Sequence, residues 1–353
     1  MLVHLEARGF RSLEPLSLEL SPGSHLILGA NGAGKTSLLE AVYLLATTRS
    51  FRTSRIADCC RHGESSFALA GEADTDRRAL LEFRWSKGQR ERSVNGCRTS
   101  LAEHLGALPV VCWTSNESEI LVGSPEARRR FVDRGVLGLR PRAIDTFSRY
   151  RQALHEKRQL LRHGSGDLRT WNEVLAGAAS DLIRLRAAYV ERLGRAVRSI
   201  LEDCSLGLGQ IELHYRSSLR SGLKGSSAIA LELMEASSRE RAVQHPILGP
   251  HRDDLVIRWD GYEPRRVASA GERKALGLAL LAAHGRILIE NGNSGVYLLD
   301  DADTELDRGR LTALWSTFSG ANQMLITSNR SEVWTSIGID YRWECVDGIV
   351  QAR

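Results

Sequence analysis

Residues 29–37 read GANGAGKTS, and this short run restricts the fold more than any other part of the chain. Gly29, Gly34, Lys35 and Thr36 meet the spacing G-x-x-x-x-G-K-[ST]. Such a loop closes around a phosphate when a strand enters it and a helix leaves it, because the helix start supplies free N–H groups and a favourable dipole. Both neighbours are present. Residues 25–28 form a short apolar run, and Leu38, Val42 and Leu45 then recur at helical intervals. The backbone from Gly29 through Ala30, Asn31, Gly32, Ala33 and Gly34 is expected to cradle a nucleoside triphosphate, with Ser37 in the first helical turn. Lys35 would reach the β and γ oxygens, and the Thr36 hydroxyl would ligate Mg²⁺.

A phosphate loop needs a second half, an apolar strand ending in an acid. VYLLDD at 296–301 provides it. Asp300 is expected to hold hydrated Mg²⁺, and Asp301 to orient or deprotonate the attacking water. A third element is ASAGERKALGLAL at 268–280, where Ser269 and Gly271 open a helix and offer donors to an anion. DTELD follows, with Asp307 seven residues beyond Asp300. The paired halves lie near opposite ends of the chain. One α/β domain is therefore expected from residues 1–125 and 244–353, a mixed sheet with added antiparallel strands. Residues 126–243 change to helical periodicity and read as an inserted helical lobe.

Charge distribution adds to this. The net charge is only +5, but residues 128–162 carry eleven Lys or Arg against three acids, Asp133, Asp145 and Glu156. That excess permits a nucleic-acid partner. Cysteines 59, 60, 97, 112, 204 and 345 show neither CxxC nor zinc spacing, and read as reduced thiols. The longest suggestive apolar run, 276–283, falls well short of the ~20 residues that span a bilayer. With Glu and Arg in place of a signal-peptide core at the N-terminus, a cytoplasmic protein without membrane contact is expected.

The order of phosphate loop, S-x-G signature, LLDD strand and ELD loop resembles the ABC-type ATPases of the SMC and Rad50 superfamily. GFRSL at 9–13, RSFRT at 49–53, GSPEARRRFVD at 123–133 and GPHRDDL at 249–255 narrow the likeness to the RecF family. The resemblance implies an ABC-type P-loop NTPase fold and a weak ATPase in which ATP pairs two copies head to tail. Ser269 and Gly271 of one copy would then meet the nucleotide of the other. It further implies binding to duplex or gapped DNA, and recombination-mediator work with RecR, and indirectly with RecO and RecA. Arg11 is expected near the nucleotide, and Thr327 as a γ-phosphate sensor. His251, Arg252, Asp253 and Asp254 read as a hydrogen-bonded group at a strand entry. Glu272 stands where the family carries glutamine, Ser115, Asn116 and Glu117 where it carries Pro-Glu-Asp, and Glu156, Lys157 and Arg158 where it carries Gln-Arg-Asn. A transporter ATPase would share the nucleotide motifs without needing GPHRDDL or an Arg-rich lobe. A related DNA clamp with other partners is the nearer alternative.

Overall fold

Alternation writes the first sheet. In SFALAGEAD every second residue from Phe67 to Ala73 is buried, as a strand with one covered face requires. The computed structural model describes residues 1–75, 78–114, 119–164, 167–204, 206–292, 295–318 and 321–353, so Ser115, Asn116 and Glu117 lie outside the described residues. Its strands are β1 (Leu2–Arg8), β2 (Leu16–Glu19), β3 (Gly23–Leu28), β4 (Ser66–Asp74), β5 (Arg78–Ser86), β6 (Gln89–Val94), β7 (Val110–Trp113), β8 (Ile211–Arg216), β9 (Asp254–Trp259), β10 (Val296–Leu299), β11 (Gln323–Ser328), β12 (Tyr341–Val346) and β13 (Ile349–Ala352).

Two compact units emerge. The first comprises residues 1–118, 196–208 and 268–353. It contains an antiparallel sheet ordered β2-β1-β4-β5-β6 and a second sheet ordered β13-β12-β3-β11-β10-β7. The second sheet is parallel except for β13. The helix Lys35–Thr47 lies in a core that draws Leu2, Leu5, Phe67 and Leu81 from one sheet and Ile27, Leu298 and Leu325 from the other. Residues 37–46 of that helix are all buried, which is why its apolar positions run all round it.

A carboxylate sits inside this layer. Glu40 is completely buried, and its carboxylate accepts two bonds from the Arg11 guanidinium, at 2.9 and 2.7 Å. It also accepts from the Ser50 hydroxyl at 2.5 Å and from Arg52 at 3.4 Å. GFRSL and RSFRT are therefore two loops tied to one carboxylate.

The helix Ala270–Glu290 carries glycines where it meets aromatic side chains. A methyl group at Gly277 would sit 2.5 Å from Trp113 Cη2, and one at Gly285 would run into the Tyr297 ring and hydroxyl.

The second unit comprises residues 119–195 and 209–267. Its main helices are Pro125–Leu139, Ile144–His163 and Ser226–Val243, together with most of Leu168–Cys204. The division differs from the sequence boundaries of 125, 126–243 and 244. β9 pairs antiparallel with β8, from Ile211 opposite Trp259 to Arg216 opposite Asp254, so GPHRDDL and the residues to 267 fold with the helices. β8 was hidden in a region read as helical, since six residues of alternation are a faint signal between long helices.

The 249–255 segment is the polar hub of this unit, as the sequence suggested for its charged residues. Asp254 receives Arg128 at 2.8 and 3.0 Å and Arg216 at 3.1 Å. Asp253 receives Ser218 N at 2.7 Å and the Tyr215 hydroxyl. Arg186 donates to both oxygens of Asp133 and to the Pro250 carbonyl. Burial, assisted by Arg158 and Arg252, lowers the His251 pKa to about 3, so its ring is neutral. Nδ1 then accepts from the Tyr150 hydroxyl at 2.7 Å while Nε2–H donates to the Pro246 carbonyl at 3.2 Å.

Gly285→Ala should destabilise the first unit by about 1–3 kcal/mol through overpacking against Tyr297. Gly285→Ala combined with Tyr297→Leu should recover much of that loss. Urea denaturation of the two variants checks both expectations.

Candidate nucleotide site

The site is assembled by strand order. β3, β11 and β10 lie side by side and parallel, so their C-terminal ends deliver the phosphate loop, Thr327 and Asp300 to one edge of the sheet. Gly34 has φ of 113°, a backbone state that L side chains rarely adopt, and it leads directly into the helix. A Cβ at Gly29 would strike the Cys345 carbonyl. Ala30, Asn31 and Gly32 form the exposed crown of the loop, while Ala33 and Gly34 are buried. The hairpin β12–β13 braces the loop, with Gly348 N donating to Ala33 O at 2.8 Å and Cys345 Sγ to the same oxygen at 3.1 Å.

Lys35 is nearly buried and points its ammonium into the loop, donating to the carbonyls of Gly29 at 2.8 Å and Ala30 at 3.0 Å. Ser37 is buried and lies 3.4 Å from the Ser12 hydroxyl, a packing position behind the loop. The Thr36 hydroxyl donates to Asp300 Oδ1 at 2.9 Å. Thr327 donates to the same oxygen at 2.8 Å and accepts from Asp301 N at 3.0 Å. Burial holds the Asp300 carboxyl above the usual carboxylate range, against the two threonine bonds that pull it down.

Asp301 has φ of 46°, and its Oδ1 is buried without a partner. Such an oxygen loses its hydration unless a water or substrate group reaches it. Lys274, from the helix that Ser269 opens, donates to the Asp301 carbonyl at 2.9 Å and to the Thr304 hydroxyl. Burial lowers the Lys274 pKa, opposed by Glu305, Asp303, Asp301 and Asp300. Asp303, completely buried, accepts from Ser328 at 2.8 Å.

Ser269 is the N-cap of its helix. Its N–H and hydroxyl both donate to Glu272 Oε2 at 2.8 Å, and its oxygen accepts Glu272 N at 3.3 Å. Those Ser269 bonds, with Arg310 nearby, hold Glu272 below the usual carboxylate range. The carboxylate thus folds back into a capping box. Gly271 faces Glu305 O, which a Cβ would approach to 3.0 Å. Among the described residues, neither Ser269 nor Gly271 bonds to its own phosphate loop.

Lys35, Thr36, Asp300, Asp301 and Thr327 are therefore brought together, whereas Ser269 and Gly271 stand apart. Arg11 is committed to Glu40 and the Asp58 carbonyl, and Thr327 is fully buried with its hydroxyl proton on Asp300. Thr327 thereby positions the Asp300 carboxylate. Sequence reasoning missed Glu40, Lys274, Asp303 and the bracing hairpin. Only the last had a local signal, the turn pair Asp347-Gly348 between alternating runs, with φ of 47° and 82°. Among the described residues no three His, Cys, Asp or Glu form a metal cluster. A hydroxyl and a carboxylate 2.9 Å apart are instead the sparse hard-oxygen set that Mg²⁺ takes when phosphates and waters complete its shell.

Thr327→Val should lower Mg²⁺ affinity in the presence of ATP by about 10- to 100-fold, the usual cost of removing a group that orients a ligand. Thr327→Ser should restore it. Mg²⁺ titrations of nucleotide binding distinguish the two.

The chain matches the family model "RecF/RecN/SMC N terminal domain" over residues 1–342. It is 35% identical over 358 residues to the DNA replication and repair protein RecF of Acidothermus cellulolyticus, covering 96% of each chain. It is 33% identical to the same-named protein of Frankia alni, covering 93% of each. A solved structure of the recombination mediator protein RecF with ATP, in the RecFOR pathway, superimposes with a TM-score of 0.89 at 27% identity, covering 100% of this chain and 97% of that one. An Smc head bound to the C-winged helix domain of ScpA shares the fold alone, at 16% identity and a TM-score of 0.60. No helix among the described residues is long and apolar enough to cross a membrane. Matched along nearly its whole length, the chain belongs to the RecF family.

Proposed function

We propose that this protein is an ATP-switched DNA-binding recombination mediator and a slow ATPase. The observation that carries the reading is the Thr36–Asp300–Thr327 cluster beside the unpartnered Asp301 oxygen. Lys35 would exchange the Gly29 and Ala30 carbonyls for β and γ oxygens of ATP. Thr36 and Asp300 would hold Mg²⁺, which neutralises phosphate charge and fixes phosphate orientation. Asp301 Oδ1 would accept a hydrogen bond from the attacking water and align it. Lys274 ties the backbone of this acid to the signature helix within one copy, so signature position and water alignment would move together.

Ser269 and Gly271 lack bonds to their own loop, which supports a composite site completed by a second copy. On pairing, the Ser269 hydroxyl would leave Glu272 and turn to the γ-phosphate bound by the other copy. ATP would close two copies on duplex or gapped DNA, and hydrolysis would release them. Its relatives' names place them in DNA replication and repair and in the RecFOR pathway. On this reading RecR would be a direct partner, with RecO and RecA served indirectly.

Sedimentation with and without ATP tests the switch. Wild type should dimerise on ATP, and Lys35→Ala should lose ATP binding in calorimetry. Ser269→Arg should bind ATP but remain monomeric, because the added side chain crowds the paired surface. Asp301→Asn should hold the dimer longer and hydrolyse at least about 100-fold more slowly in single turnover. ATP-dependent dimerisation by Ser269→Arg at the wild-type concentration would refute the composite site.

A further inference from the structure

The arginine excess of residues 128–162 separates into two groups once partners are assigned. Arg128 is bound to Asp254, Arg129 to the Asp253 carbonyl, Arg130 to Glu126 and Arg149 to Asp181. Arg151, Arg158 and Arg162 form no ion pair with any described carboxylate, and neither do Arg140, Arg142 and Arg252. Other exposed arginines of the unit are paired, as in Arg169–Glu173, Arg184–Asp181 and Arg195–Glu191.

Part of this unpaired group is contiguous. Arg151, His155, Arg158 and Arg162 follow one another on the helix Ile144–His163 at intervals of four, three and four, and so share a face. Arg151, His155 and Arg162 are exposed, and Arg158 is half-buried with its Nε lacking a partner. The Tyr150–His251 bond draws the neighbouring loop to this helix, which brings exposed Arg252 alongside. His245 lies on the same loop, its ring 6.5 Å from that of His251. Arg252, Arg158 and Arg162 all lower the His245 pKa, after burial, and only Glu240 opposes them.

Nearby acids do not neutralise the patch. Glu240 is fully buried and paired with Lys157 at 2.6 Å. Asp253 and Asp254 are buried and held as described above. Glu156 is turned about 200° from Arg158 around the helix. Concentrated like charge without a counter-charge favours an anionic partner, and guanidinium forks match phosphate oxygens.

We infer that the face formed by Arg151, Arg158, Arg162, Arg252 and His245 is a track for the sugar-phosphate backbone of duplex DNA. A single phosphate would meet only part of it. Arg151 and Arg162 lie about 16 Å apart along the helix axis, roughly five phosphate steps of one strand. The inference deepens the mediator reading and rests on it, since it names where that protein holds DNA.

The test uses the full chain with ATP and Mg²⁺, a labelled duplex and fluorescence anisotropy between about 50 and 200 mM KCl. Arg162→Glu and Arg252→Glu should each weaken binding at least about fivefold and reduce the log–log salt slope by about 1. The double variant should lose more, and Arg158→Gln tests the half-buried member without reversing charge. Thermal melting reports whether each variant is folded. Arg195→Glu, an equal charge change elsewhere on the unit, should stay within about twofold of wild type. Tight wild-type binding with unchanged affinity and slope in both exposed reversals would overturn the track while leaving the mediator reading intact. Absence of wild-type DNA binding in every nucleotide state would overturn the mediator reading itself. Reversals that abolish binding of poly-glutamate but leave duplex affinity unmoved would reassign the face to an acidic protein.

Discussion

A helix with no solvent-facing side must be covered all round, and Lys35–Thr47 is such a helix. Its covering comes from distant parts of the chain: β1, β4 and β5 on one side, β3, β10 and β11 on the other. Burying about ten successive residues is the hydrophobic gain that draws the N-terminal strands and the C-terminal third into one unit. The phosphate loop inherits its rigidity from this arrangement, because its last residues are already inside the core. Glu40 is the charged exception within the buried run 37–46 of this helix. Removing its partner Arg11 would leave a buried carboxylate short of its two strongest donors, a situation far costlier than any exposed ion pair.

The chemistry depends on hydrogen bonds that cross strands. Asp300 has one oxygen shared by two hydroxyls, one from the helix after the loop and one from β11. Thr327 also grips the Asp301 N–H, so one buried hydroxyl fixes two adjacent acids. Lys274 then holds the Asp301 carbonyl from another helix. The second acid is left with a left-handed backbone and an unpartnered oxygen. Strain and an orphaned acceptor persist only where neighbours over-determine them, and this is the corner where a water would have to be aligned.

Charge in the second unit follows a different logic. Arg128 and Arg186 are forked onto carboxylates and build the unit. Chain neighbours only a few turns away carry the same side chain and have no acid. Arginine count alone therefore does not separate the arginines that build this unit from those left without a carboxylate.

The sequence by itself determined the phosphate loop, the acid-ended strand, the signature helix start and the interrupted α/β plan. Each is a local pattern whose spacing reflects backbone geometry, and Lys35, Thr36, Asp300 and Asp301 converge as that spacing demanded. It left β8 hidden, placed the boundary before GPHRDDL too early, and said nothing of the partners that Arg11 and Thr327 take. Those outcomes turn on partners distant in the chain: Ile211–Arg216 across from Asp254–Trp259, Glu40 for Arg11, Asp300 for Thr327. Tertiary structure alone decided them, because a buried polar group takes whichever partner the packed core brings within hydrogen-bond reach, and no periodicity along the chain encodes that choice.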